Sequence, residues 1–179
     1  MNTEAELTAL FVTHSVNKLK QMSDHLALCL SKLSEEQIWH RSSDNENAIG
    51  NLVLHLCGNM QQWIGAGFGG EKDIRVRDAE FAARGNADRE SLLQHLQQTV
   101  NHNIAVIETV TPARLVERVT PQDRTVSILE AIYQVVGHFQ QHTGQIIFAT
   151  KLLTSEDLRL YVPATPPKRI AGLHQGKVG

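Results

Sequence analysis

The sequence predicts an all-α protein folded as a four-helix bundle. Four segments repeat apolar residues at spacings of three and four, as a helix with one buried face does. Residues typical of helix ends separate these segments, and only residues 73–76 alternate weakly in the manner of a strand. Since 179 residues suffice for one domain with its own core, packing four apolar stripes together is the natural arrangement.

The first apolar stripe predicts one long helix that ends near Leu33. Ser34, followed by Glu35, Glu36 and Gln37, has the form of a capping box, so a new helical turn should begin there. The apolar positions of the first helix are Leu7, Leu10, Phe11, Leu19, Met22, Leu26, Cys29, Leu30 and Leu33.

The second stripe predicts a helix that stops at a cluster of glycines in residues 65–70. A connection of about twenty residues follows, from Gly65 to Ala87, whereas 2–8 residues are usual between bundle helices. The connection should therefore cover something or cross the length of the bundle. The apolar positions of this helix are Ile49, Leu52, Val53, Leu56, Met60, Trp63 and Ile64.

The third and fourth helices complete the predicted bundle. The third runs from about Asp88 to Ile107, and the break at Thr111-Pro112 precedes a short helical turn. Thr125 is expected to cap the fourth helix, whose stripe extends to Leu153. Three prolines and three glycines follow from Pro163, so we predict a bundle over residues 1–160 and a flexible tail over 161–179.

Charge and composition exclude several classes of partner. A formal net charge of -2 creates no field that would gather nucleic acid or an anionic membrane surface. No segment approaches the ~20 apolar residues that span a bilayer, and no export signal is evident. Cys29 and Cys57 lie among apolar residues, which favours buried, reduced thiols. We therefore expect a cytoplasmic protein that binds neither nucleic acid nor a membrane. The partner that we expect is a small-molecule substrate, at the site described next.

Three histidines form a candidate metal site. His138 and His142 lie four residues apart on the fourth helix, so both imidazoles share one face, which also carries Val135. His55 lies at the edge of the apolar stripe of the second helix. Three neutral imidazoles suit zinc, nickel, iron or copper and keep one coordination position open for water or substrate. Such a site could support hydrolysis or sulfur transfer.

Two other interpretations of these histidines stay open. Pairs of histidines four residues apart also occur by chance, and most single core histidines simply form a hydrogen bond with a neighbour. The leading hypothesis is a metal-dependent hydrolase or thiol transferase. The first alternative is a non-catalytic metal-binding or ligand-binding protein, for instance in a stress response. The second is a structural helical dimer that contains no metal.

Several polar residues could belong to the same site. Asn51 and Asn59 flank His55 by four residues on either side and could orient it or bind substrate; equally, they could fill polar gaps between helices. Gln145 lies three residues after His142, close enough to orient its ring by a hydrogen bond.

Other candidates depend on how the chain folds around the site. His14, near Leu10 and Phe11, could line the cavity or could be an ordinary core histidine. Arg75 and Arg77 could bind an anion if the connection folds over the pocket; otherwise they belong to a solvated loop.

Cys57 offers no support to the candidate metal site. It follows His55 by two residues, a rotation of about 200° around the helix, and should not share the metal face.

Four stretches of the sequence carry a resemblance to a known family. They are Trp39-His40-Arg41, then N-A-I-G-N-L-V-L-H-L-C-G-N over residues 47–59, R-D-A-E-F over residues 77–81, and His138 to His142 followed by Gly144-Gln145-Ile146. With these stretches the chain resembles the DinB-like (DinB/YfiT) superfamily, specifically a branch of unknown function, over roughly residues 5 to 160.

The resemblance implies a fold and a site. It implies an up-down-down-up bundle in which the long connection is the crossover, and a metal site formed by His55, His138 and His142. Relatives include metal-dependent hydrolases and enzymes that use a low-molecular-weight thiol such as mycothiol or bacillithiol. Many relatives are homodimers, so the resemblance also implies a homodimer. We expect zinc or nickel as the metal, with iron as a further option, and a low-molecular-weight thiol as a second cofactor.

Overall fold

The computed structural model describes residues 3–85 and 87–160 of the chain, and within them the protein is predominantly helical. The predicted tail over residues 161–179 lies outside the described residues and stays a prediction. In chain order the elements are α1 (Thr3–Lys32), α2 (Glu35–Ile38), α3 (Ile49–Met60), α4 (Arg77–Ala82), α5 (Arg89–Glu108), α6 (Pro112–Leu115), β1 (Arg118–Val119), β2 (Val126–Ser127) and α7 (Ile128–Thr154).

Hydrogen bonds at the helix ends fix the direction of α1 relative to α5 and α7. Arg89, the first residue of α5, donates through Nη1 to the carbonyl oxygen of Leu33, just past α1, at 3.2 Å. The two helices are therefore antiparallel. Lys32, at the end of α1, forms an ion pair of 2.9 Å with Glu156, just past α7. Consequently α1 and α7 run in the same direction.

Contacts at both ends of α3 show that it is parallel to α5. Trp39 packs against Gly50 at the start of α3, and its Nε1 donates to the Ala87 carbonyl oxygen, just before α5, at 3.0 Å. Beyond the other end of α3, Gln61 accepts a hydrogen bond of 3.0 Å from Asn103, in the later half of α5. Together with the preceding directions, this gives the up-down-down-up bundle that we predicted.

The core lies between the four long helices. Helix α1 packs against α5 and α7, and α3 packs against the same two helices, so α1 and α3 lie diagonally across the bundle. Burying a leucine, isoleucine or phenylalanine side chain contributes about 1.5–3 kcal/mol, which makes these layers the main source of stability. The largest fully buried side chains include Leu19, Leu26, Leu30, Leu56, Met60, Leu96, Ile107 and Phe139.

The start of α7 differs from the prediction. Ser127, not Thr125, caps the helix: its hydroxyl accepts from the Glu130 backbone N–H, and the Glu130 carboxylate accepts from the Ser127 backbone N–H at 2.6 Å. Thr125 instead lies in the turn that joins β1 to β2, which pair antiparallel. Residues 73–76 do not form a strand because they run as a connection without a paired neighbour among the described strands.

The long connection crosses the bundle, as parallel α3 and α5 require. After α3 the chain continues through a π-helical turn, Gln61–Gly65, and then returns along the bundle to α4. The side chain of Asn51 in α3 fastens this return, donating to the carbonyl oxygens of Glu80 at 2.7 Å and Ala83 at 3.1 Å. Within the described helices, none has the length and apolar character needed to cross a membrane.

Candidate metal centre

Helices α3 and α7 bring His55, His138 and His142 together. One nitrogen from each ring lies within 4.8 Å of the other two, and no other such group of metal-binding side chains occurs in the described residues. The Nε2 atoms of His55 and His138 are 3.0 Å apart. His55 is buried, while His138 and His142 are half-buried. The three rings thus converge at the edge of the core.

The spacing of these rings fits one metal ion. Two nitrogen atoms bound to one tetrahedral zinc ion at ~2.0–2.1 Å lie about 3.3 Å apart, close to the spacing of the two Nε2 atoms. The ring planes meet at 72°, 86° and 87°, a T-shaped arrangement in which no two of the rings stack face to face. The nitrogen lone pair that a metal needs lies in the plane of each ring, at its edge.

Glu80 orients the ring of His55. The Glu80 Oε2 atom lies 2.9 Å from His55 Nδ1, and Arg75 Nη2 lies 3.1 Å from the same nitrogen. In the tautomer with its proton on Nδ1, the ring donates to Glu80 and the lone pair of Nε2 is directed at His138. Histidines that bind metals commonly donate their second N–H to a carboxylate in this way. The contact would therefore leave Nε2 of His55 free to bind a metal ion.

Arg75 holds the Glu80 carboxylate in place. Its Nε donates to Oε1 at 2.7 Å and its Nη2 to Oε2 at 2.8 Å, a bidentate pair whose two side chains are only 5% and 10% exposed. Burial acts to raise the pKa of Glu80, but hydrogen bonds from Arg75 and His55 outweigh it and hold that pKa below its usual value. A Cβ at Gly58 would overlap Glu80 Oε1, so the glycine provides the space for this carboxylate.

Gln145 orients His142 in a similar way. The His142 Nδ1 donates to Gln145 Oε1 at 2.6 Å, which leaves its Nε2 available as a ligand. Burial, assisted by the positive charges and histidines around it, lowers the pKa of His138 to about 4, and burial also lowers the pKa of His142. Both rings are therefore neutral near pH 7, the form that binds metals.

Within the described residues, no hydrogen bond joins Asn51 or Asn59 to His55. Asn51 accepts from Arg41 Nη2 at 2.6 Å and donates to the Glu80 carbonyl oxygen. It therefore positions the backbone of the residue that orients His55. Asn59 is 7% exposed and lies one helical turn beyond His55 on α3.

The structure places His14, Arg75 and Arg77 in three different surroundings. On α1 the side chain of Ser15 is buried and that of His14 is exposed. His14 is therefore not one of the converging rings. Arg75 is occupied by Glu80, and it is buried instead of solvated. Arg77 is exposed, with its guanidinium 4.8 Å from the centre of the Phe81 ring, which in turn lies 4.7 Å from the ring of His55.

Both cysteines are buried, free thiols, as the sequence predicted. Burial raises the pKa of Cys57 to about 12, outweighing its hydrogen bond with Thr99. The thiol of Cys57 therefore stays protonated near neutral pH and is a poor nucleophile.

Sequence analysis did not assign a role to Glu80, the residue that links the connection to the candidate metal centre. It was part of the stretch 77–81 that carried the resemblance, but no periodic pattern relates it to His55. The unusual length of the connection was the feature of the sequence that indicated a role for this segment, in covering a site or crossing the bundle.

Comparisons with known proteins agree with the resemblance to a DinB-like branch. The model of a family described as a protein of unknown function (DUF1572) matches residues 6–165. No curated protein matches the sequence.

The fold is similar to a crystal structure of a mutant of mycothiol-dependent maleylpyruvate isomerase. The TM-score is 0.57 and the identity is 14%, and the match covers 75% of this chain and 60% of that one. The present chain therefore corresponds to less than two thirds of the isomerase, and at this identity the likeness concerns the fold alone.

Proposed function

Because the chain belongs to the DUF1572 family of proteins of unknown function, within the DinB-like superfamily, we propose its function from the site itself. The protein is a metal-dependent enzyme that acts on a small molecule, as a hydrolase or a low-molecular-weight thiol S-transferase. The observation that carries this proposal is the convergence of three imidazole nitrogens, with the second nitrogen of His55 and of His142 held by Glu80 and Gln145.

The set of ligands favours a reactive metal over a structural one. The group consists of His55, His138 and His142, and the described residues add no cysteine or carboxylate to it as a fourth ligand. Sites with three protein ligands leave a coordination position free, whereas structural zinc sites are closed by four. When bound, a divalent ion would act there as a Lewis acid toward a carbonyl group or a thiol. Three imidazoles suit zinc or nickel, and also iron.

The proposal of a thiol S-transferase has one specific source of support. The solved structure with a similar fold is named as a mycothiol-dependent enzyme. We therefore propose that a low-molecular-weight thiol is the second cofactor, with hydrolysis as the alternative reaction at the same site.

An activity screen tests the proposed reaction. We expect metal-loaded protein to turn over either an electrophile together with mycothiol, bacillithiol or glutathione, or an ester or amide without thiol. The His138→Ala variant is expected to lose that turnover, since the ring supplies one of three ligands. Full metal occupancy without turnover in either set of assays would instead identify a non-catalytic binding protein.

We also propose that the protein is a homodimer. Helices α1 and α7 pack against each other and expose large apolar side chains, a feature that often marks an interface. Light scattering is expected to give twice the chain mass of 19.9 kDa, and Leu10→Lys combined with Tyr133→Glu is expected to halve it. A wild-type mass equal to one chain would contradict the proposal. The exposed residues are Leu7, Leu10, Tyr133, Phe148 and Leu152, which are 62–72% exposed.

A further inference from the structure

A cavity of about 460 Å³ lies between α3, α5 and the connection that follows α3. Leu54 and Cys57 of α3 and Thr99 of α5 form part of its wall, and residues 72–76 run across it. None of the three converging histidines lines it, so it is separate from the candidate metal centre. Its volume falls in the range of pockets that hold small molecules.

Part of the lining of this cavity is apolar and exposed to solvent. Ile74 and Val76 both line it, yet they are 76% and 66% exposed. Ala66 and Ala79 add further apolar surface to the wall. Neighbouring apolar side chains that stay exposed beside a cavity mark a place where a ligand with an apolar body gains by excluding water.

Lys72 gives the cavity an unpaired positive charge. Arg75 and Glu80 neutralise each other in the wall. Asp73 is also occupied, because its two carboxylate oxygens accept from Gln62 Nε2 at 2.7 Å and from the Arg75 backbone N–H at 3.0 Å. Among the lysine, arginine and carboxylate side chains that line the cavity, Lys72 alone has no partner in the part of the chain that the structure describes.

The cavity is suited to binding rather than to covalent chemistry. Cys57 is the thiol in its wall, and it is only 1% exposed. A thiol buried this deeply is inert toward a ligand. The polar groups of Thr99 and His95 can still accept or donate hydrogen bonds inside.

We propose that this cavity binds a small organic anion with one carboxylate and an apolar body. The carboxylate binds Lys72, and the apolar body lies against Ile74, Val76 and Ala79. This site goes beyond the proposed function, because it does not involve the three histidines. It is adjacent to them, since the Arg75–Glu80 pair that orients His55 also forms its wall.

Calorimetric titration of the full-length, metal-free protein with 4-phenylbutyrate and with its neutral amide tests the proposal. Both probes have the same apolar body, so the difference between them measures the carboxylate. We expect the carboxylate to bind roughly fivefold tighter than the amide, the upper range for a solvent-exposed ion pair. The Lys72→Gln variant is expected to bind the two probes equally.

Three further variants locate the binding site. Ala79→Leu narrows the cavity and is expected to weaken phenylbutyrate binding roughly tenfold, since the larger side chain would occupy space that the apolar body of the ligand needs. Ala105→Leu, at an exposed position of α5 outside the cavity, is expected to bind as the wild type does. A variant with alanine at His55, His138 and His142 should also bind normally, whether or not the metal proposal is correct.

Three results would overturn this inference. The wild-type protein could fail to bind phenylbutyrate at millimolar concentration. The Lys72→Gln and Ala79→Leu variants could bind both probes as the wild type does, which would show that the probes bind outside this cavity. Alternatively, loss of binding in the triple histidine variant, with its helical content intact, would place the anion at the histidines instead.

Discussion

Replacing His138 with alanine is expected to lower the affinity for zinc by more than about a hundredfold, because loss of a residue that merely supports a ligand already costs 10–100-fold. His138 would supply one of three nitrogens, and its Nε2 lies 3.0 Å from that of His55. The bundle should stay folded, since the side chain is half-buried and the core layers of α7 remain. Competition with a chelator of known affinity measures the change, and circular dichroism checks the fold.

His14→Ala is the matched control for this substitution. It also removes a histidine from a long helix, but His14 is exposed on α1 and outside the converging rings. Its zinc affinity should equal that of the wild type. A His138→Ala protein that keeps the wild-type affinity would show that the three histidines are not the ligands.

Replacing Glu80 with glutamine is expected to have two large effects. The affinity for zinc should fall by about 10–100-fold, because the amide no longer provides the charged acceptor for the Nδ1 N–H of His55. The free energy of unfolding of the metal-free protein should fall by about 3 kcal/mol, because Arg75, 5% exposed, loses the carboxylate that neutralises it. Zinc titration and urea unfolding measure the two effects separately.

The stability effect should depend on pH in a defined direction. Folding lowers the pKa of Glu80 from its ordinary 4.5, so its stabilising contribution is present above about pH 4.5 and is lost as the pH falls below that value. The difference in stability between the wild type and Glu80→Gln should therefore shrink in acid.

Two controls separate the effect of the buried charges on stability from the effect of His55 orientation on zinc affinity. Asp78→Asn changes an exposed carboxylate on the same helix and should alter stability by no more than about 0.5 kcal/mol. Replacing Arg75 with methionine and Glu80 with leucine together removes both buried charges, and should restore much of the stability while zinc binding stays weak. Equal zinc affinity in the wild type, Glu80→Gln and the double variant would contradict the role assigned to Glu80.

The helices could be predicted because their signals are local. Spacings of three and four reveal a buried face without knowledge of its partner, and the four-residue separation of His138 and His142 fixes their common face. The capping box at Ser127 and Glu130 was equally local, since it needs only a serine followed by glutamate three residues later. The prediction that Thr125 caps this helix was therefore wrong.

The surroundings of the histidines could not be predicted in the same way. Glu80 follows His55 by twenty-five residues, and it reaches the ring only because the crossover returns along α3. The burial of Arg75 depends on that same path. The spacing of apolar residues also did not predict the exposure of His14 correctly. Successive residues of a helix are rotated by about 100°, so His14 is exposed although the next residue, Ser15, is buried.

The most direct test of the metal centre is elemental analysis of the protein purified without an affinity tag or chelator. The variant with alanine at His55, His138 and His142 is the comparison. We expect about one equivalent of zinc, nickel or iron per wild-type chain and less than about a tenth of that in the variant. A wild-type protein that contains no metal, even after incubation with each of these ions, would contradict the metal centre and leave the three histidines as polar residues of a helical bundle.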